Sequence, residues 1–399
     1  MRRIVVTGIG LVLPLGTGKE QTWQALCAGQ DGASDVSTFD TAGLGTVRAA
    51  EIKDVSQLRG RKSVWAVSRG MIMGFAAAKL ALEDSQITVT PENKDNIGVV
   101  YGSTLTGLAP LAKFDQEALR NGPRIADPLM FPSTGSSAPA CQVSIVLGVD
   151  AFNTTLSNGQ TASLDAIQYG MQFIDLGRAT TVLAGGVEDL CFERFFGYHT
   201  QQLLASSAAK PFDSQRTGML LGEGSAVLVL EDLDHAKERK VPIYAEIAGY
   251  GSYLTPKAEE ASEINAAVQS MGKALQQASM RPDQIDVVFA GGNGSQKGDM
   301  VEARALTELF HGSVPSLTAV KSMLGESYSA AGAIQSAMAA LSLYHQTVPG
   351  TIHFAQPDPL CPVGSVVQNT QSKSMSAAMI NTFGSTGNFA SLILKSYEN

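Results

Sequence analysis

The chain is poor in the residues that mark metal proteins and disulfide scaffolds. Its 399 residues include four cysteines and five histidines. Cys27, Cys141, Cys191 and Cys361 lie far apart with no paired ligand spacing, so neither disulfides nor a metal site is expected, and a reducing, cytoplasmic setting is. Cys141, in the apolar run CQVSIVLG, reads as a small buried side chain. None of His199, His235, His311, His345 and His353 has a neighbouring acid or cysteine pattern of a catalytic triad, which leaves them surface or structural roles. A basic excess is also missing: the net charge of -8 argues against a nucleic-acid surface. No apolar run approaches the roughly 20 residues of a membrane span. The opening MRRIVVTGIGLVLPLG imitates a secretion signal, but its β-branched run and three glycines read as a strand and a turn, and no small-residue cleavage site follows.

What is present is an α/β pattern. Short β-branched runs at 4–7, 97–101, 180–183, 226–230, 285–289 and 377–380 predict strands. Apolar residues recurring at three and four predict helices over 20–28, 64–82, 163–174, 263–278, 300–310 and 330–343, several rich enough in alanine to pack closely. The length exceeds one ordinary domain. A polar stretch with Asp232, Asp234, Lys237, Glu238, Arg239 and Lys240 suggests a seam, dividing the chain into 1–240 and 241–399, with a strand pattern restarting at Ile243. No repeat of fixed period is evident.

Six stretches carry a family likeness in consistent order: RRIVVTGIGLVLPLG at the start, CQVSIVLG from Cys141, LAGGVEDL from Leu183, PFDSQRTGMLLGEGSAVLVLEDLDHAK from Pro211, KSMLGES from Lys321 and NTFGSTGN from Asn381. With these the whole chain resembles the β-ketoacyl-acyl carrier protein synthases, the condensing enzymes of fatty acid and polyketide assembly. The resemblance implies a thiolase fold, two similar α/β halves stacked as five layers (αβαβα) and normally dimeric. It also implies no cofactor of the chain's own, only a phosphopantetheinylated acyl carrier protein as partner.

Family chemistry uses a cysteine at a strand-to-helix turn, where the positive helix end favours the thiolate, and two histidines that stabilise the enolate formed when malonyl thioester loses carbon dioxide. The resemblance sets Gln160 at the cysteine of S-T-A-C-A-S-G, Gly291 at the histidine of A-H-G-T-S-T, and Glu326 at the histidine of K-S-x-x-G-H. All three are replaced. An amide is no nucleophile, glycine has no donor, and an ionised Glu326 is expected to repel a malonyl carboxylate. Gln160 is expected to lay its oxygen against backbone N–H groups, plugging the vacated oxyanion pocket. Lys321 and Glu302 match a supporting lysine and acid, or form a plain buried ion pair. Phe383 and Gly384 sit in a tight loop near the site, where the family's second phenylalanine is Ser385. Gly291 is read as a position whose backbone angle a side chain would strain.

The resemblance is nearest to the chain length factors, non-catalytic β subunits that pair with an active ketosynthase α subunit in type II polyketide systems, aromatic or aryl-polyene, and bound the tunnel that receives the growing chain. In relatives a helix approaches the partner's tunnel, and residues 103–116 match it. Leu108, Leu111, Ala112 and Asp115 share one face of it and are the tunnel candidates, with plain interface packing as the alternative. An initiating decarboxylase with Gln in place of Cys is the other reading, and it needs the histidine donors this chain lacks. A free-standing acyl-binding scaffold is the third.

Overall fold

Most strands of the main sheet are buried along nearly their whole length because both faces of the sheet are covered. The computed structural model describes residues 2–58, 68–257 and 259–397. The strands are β1 (Ile4–Leu13), β2 (Ile97–Gly102), β3 (Asn153–Leu156), β4 (Thr181–Glu188), β5 (Gly224–Asp232), β6 (Ala245–Leu254), β7 (Val287–Phe289), β8 (Ser316–Thr318), β9 (Ala377–Phe383) and β10 (Asn388–Lys395). They lie in the order β8-β7-β9-β10-β6-β1-β5-β4-β2-β3, with Gly16–Thr17 folded back on β1 as an eleventh strand. The path contains the same array twice. In each half the third strand lies at the edge, then the second, fourth, fifth and first. The second pairs in parallel with the third and fourth, and the remaining pairs are antiparallel. The halves meet where Ile4, Val5 and Val6 of β1 pair with Ile247, Glu246 and Ala245 of β6.

The helices are α1 (Lys19–Cys27), α2 (Arg69–Asp84), α3 (Leu108–Asn121), α4 (Ala138–Leu147), α5 (Ala162–Asp175), α6 (Phe192–Thr200), α7 (Leu233–Arg239), α8 (Glu260–Ala278), α9 (Gln296–Leu309), the single turn α10 (Lys321–Leu324), and α11 (Ala331–His345). Alternation along β4 shows the layering: Val182 and Ala184 join the central core with Leu164 of α5 and Ile334 of α11, while Leu183 and Val187 join an outer core with α2. A second outer core unites β9 and β10 with α8 and α9. The layers are therefore α2, the first array, α5 with α11, the second array, and α8.

Both outer helices come close for one reason. A Cβ on Gly8 or Gly10 of β1 would lie 2.3 or 1.9 Å from backbone oxygens of α2, and one on Gly249 or Gly251 of β6 would lie 2.3 or 2.1 Å from those of α8. Only glycine fits, and the facing helix positions are small: Ala77 and Ala81, then Ser270 and Ala274.

The polar stretch around 232–240 forms α7, which Asp232 caps by accepting from the Asp234 N–H at 2.9 Å. Other expectations change. Of the helix expected over 64–82, residues 64–67 lie outside the described residues and the remainder starts at Arg69. The helix read within 103–116 begins at Leu108, and 103–107 is loop. Cys141 is exposed rather than buried, because α4 turns Cys141 and Ile145 outward on a face that none of the described residues covers.

Candidate functional site

β3 ends at Leu156, and a single 3-10 turn, Gly159–Thr161, feeds directly into α5. Gly159 takes φ 86°, the left-handed region that glycine enters without penalty. Asp165 in the first helical turn accepts from Asn158 Nδ2 and, at 2.9 Å, from Thr161 Oγ1, placing negative charge at the positive helix end. Gln160, only 8% exposed, reaches across to the β9–β10 hairpin, where its Oε1 accepts from the Ser385 N–H at 2.9 Å. Asn388 Nδ2 donates to Asn158 O at 2.9 Å, a second clamp between turn and hairpin.

Gln160, Gly291, Glu302, Phe383 and Gly384 line one pocket of about 530 Å³, of the size that takes small molecules. Its floor is a closed hydrogen-bond network. The Gly291 N–H donates to Glu302 Oε1 at 3.0 Å, and Asn381 Nδ2 donates to the same oxygen at 3.2 Å. Lys321 Nζ donates to Gly291 O at 3.0 Å and to Glu326 Oε2 at 2.9 Å. Asn293 Nδ2 completes Glu326 Oε2 at 2.7 Å, and the Tyr328 N–H donates to Glu326 Oε1 at 2.9 Å. Burial alone would raise the Glu326 carboxyl, but Lys321 and these donors outweigh it and hold it below the usual range. Burial dominates at Glu302, pushing that carboxyl up to about 7 against the pull of its two donors. Asp299, accepting from the Phe212, Asn293 and Gly294 N–H groups, is likewise raised by burial to about 6.

Three expectations need correction here. The buried ion pair is Lys321 with Glu326, not Lys321 with Glu302, because Glu326 follows α10 closely enough for its carboxylate to return to the lysine. Glu326 does not line the pocket and its charge is matched, so it presents no bare carboxylate to a ligand. Gly291 does not hold a left-handed angle; a Cβ there would meet Asn381 O at 3.2 Å, a tight but ordinary backbone position. Leu108, Leu111, Ala112 and Asp115 do share a face of α3, which is half-buried to exposed, and none of them lines this pocket. Sequence reasoning passed over Asn293, and it named Ser385 only as the residue at the family's second phenylalanine, not as the partner of Gln160. Asn293 stands two residues after Gly291, where its amide partners the Glu326 carboxylate.

Two stacked arrays with paired buried helices and a pocket at a helix start define the thiolase fold. The chain belongs to the beta-ketoacyl synthase family, whose N-terminal domain matches residues 1–236 and whose C-terminal domain matches 244–355. Among curated relatives, 3-oxoacyl-(acyl-carrier-protein) synthase 2 of Vibrio cholerae is 34% identical over 99% of each chain. Among solved structures, the ishigamide ketosynthase/chain length factor superposes with a TM-score of 0.94 at 28% identity, covering all of both chains. A type II polyketide synthase acyl carrier protein in complex with its ketosynthase matches at 0.90 and 25% identity, again over both full chains. Among the described residues no helix is long and apolar enough to cross a membrane.

Proposed function

We propose that this chain is a chain length factor, a subunit that performs no condensation itself and completes a heterodimer with an active ketosynthase in type II polyketide assembly. One observation carries the reading: the pocket lining holds neither cysteine nor histidine, and the side chain at the helix start, Gln160, spends its oxygen on the Ser385 N–H. A condensing enzyme needs a nucleophile at that turn and donors facing it. The initiating decarboxylase is disfavoured on the same ground, since Gly291 offers no side-chain donor and Glu326 is sequestered by Lys321 and Asn293.

The surface supports a partner. β3 is one edge of the sheet with α4 beside it, and Ile145 of α4 is exposed, as are Leu119 of α3 and Ile125, Leu129 and Phe131 in the segment after it, at 64–86%. Unpaired strand edges and apolar clusters of this kind are where proteins pair. On this reading the α3 face closes the partner's tunnel, and an acyl carrier protein delivers the substrates.

The test is to express the chain alone and with a ketosynthase that carries cysteine and both histidines. The expected result is a one-to-one heterodimer burying more than about 2,000 Å², no acylation of the isolated chain, and no carbon dioxide release from malonyl carrier protein. Ile145→Asp with Leu119→Asp abolishes the heterodimer. Gln160→Cys gives at most slow acylation without turnover, because groups that act as a unit are not restored singly. Robust turnover by that single variant, or homodimers only from both subunits, overturns the proposal.

A further inference from the structure

The tunnel candidates sit on α3, yet none of that helix's residues is buried, and its N-cap, Gly107, supplies no side-chain bond. The body of α3 therefore does little to fix where the helix begins, and the loop before it does that: Thr106 and Gly107 are buried, Gly107 lies close against the Thr134 backbone, and the loop is hydrogen-bonded to a buried acid. The Leu105 N–H and Thr106 Oγ1 both donate to Glu188 Oε1, each at 3.1 Å, and the other Glu188 oxygen accepts from Ser329 Oγ at 2.5 Å. Glu188 is fully buried at the end of β4, so these bonds are shielded from water. Thr104 Oγ1, in the same loop, accepts from the Gly159 N–H at 3.2 Å, next to Gln160.

The loop is thus held at both helix-start turns: by Thr104 at the turn that starts α5, and through Glu188 and Ser329 at the turn that starts α11. We propose that Glu188, assisted by Thr104, is the positioning residue that fixes the seat of α3 and with it the chain length at which the heterodimer stops. The inference rests on the subunit reading above. Glu188 touches no substrate in this scheme; it acts through the loop, holding Leu108 and Leu111 at a set depth against the partner.

The experiment measures the acyl-chain length distribution made by the co-purified heterodimer, by mass spectrometry of the carrier-protein products. The variants are Glu188→Ala, Glu188→Gln, Thr104→Val and Ser329→Ala, with Leu111→Ala as the tunnel control. Losing one such bond changes a population about fivefold, so Thr104→Val is expected to raise the off-length share about fivefold, and Glu188→Ala, which removes the acceptor of three donors, by more, both at unchanged stoichiometry. Glu188→Gln, which keeps an acceptor for Leu105 and a donor for Ser329, restores the wild-type distribution, a rescue that mere loss of folding would not produce. If Glu188→Ala does not fold, Thr104→Val and Ser329→Ala decide. Wild-type distributions from folded Thr104→Val and Ser329→Ala complexes, in the presence of a Leu111→Ala shift, overturn this inference and leave the subunit reading intact. Failure to recover any ketosynthase complex overturns both.

Discussion

The two halves build the same object and use it differently. Each places a buried helix behind its third strand, and each helix begins with a 3-10 turn: Gly159–Thr161 before α5 and Tyr328–Ala330 before α11. The turns touch. In the first half the strand runs straight into its turn, and the turn presents Gln160 to the pocket. In the second half α10 intervenes, and the segment carries Lys321 and Glu326 beneath the pocket, with the Tyr328 N–H tied to Glu326. The duplicated architecture supplies two helix starts at one place, one facing the cavity and one supporting it. The facing side is tied to the hairpin by one hydrogen bond from Ser385 to Gln160, whereas the supporting side is a matched network around Glu326.

That contrast can be broken most severely from below. Lys321→Met leaves Glu326 buried without its cation, and removing one partner of a buried pair typically costs about 3–5 kcal/mol. Chemical denaturation of the variant is expected to show a loss of that size, and adding Glu326→Gln is expected to recover much of it.

The pH response is next in size. Glu302 has a folded-state pKa raised to about 7, so between the ordinary carboxylate range and that value the folded chain holds a proton the unfolded chain has released. Stability therefore falls as pH rises through this window and stays lowered above it, by roughly 3 kcal/mol for a shift of this size. Asp189, raised by burial to about 7, and Asp299 add in the same direction. Urea unfolding at pH 5.5 and pH 8 is expected to show the drop, and Glu302→Gln to remove its own share by gaining stability at pH 8. A flat profile would sink the assignment of these carboxyls.

The facing side gives the smallest effect. Gln160→Ala deletes one hydrogen bond to the hairpin and is expected to cost about 1 kcal/mol, with faster amide exchange at Ser385 and an unchanged fold.

Much of the fold was legible because its strands are covered on both sides: apolar runs such as 97–101 and 226–230 can be little else. β3 was not legible, since Asn153–Leu156 is an edge strand of sequence NTTL with no apolar face to announce it. The duplication was hidden because it lives in strand order; its trace in the sequence is the pair of Gly-x-Gly strands, 8–10 and 249–251. At the site, register against the family patterns brought Gln160 and Gly291 to one pocket. The partner of Lys321 was misassigned because Glu302 and Glu326 are both acids near it in the pattern, and only the path of the chain after α10 separates them. Cys141 misled because a helix apolar all round gives no hint of which face is left bare.

The strand order also dictates a schedule for biosynthesis. β1 finds its principal partner in β5, and the buried bond between Thr7 and Glu231 joins residues 224 positions apart. All ten residues of β1 are buried in the finished fold, and until β5 has been made the strand lacks that partner, with α2, nearer in sequence, there to cover one face of it. Contacts so distant in sequence close slowly and leave the intermediate prone to aggregation. The yield of soluble protein is then expected to depend on translation speed and on holding chaperones.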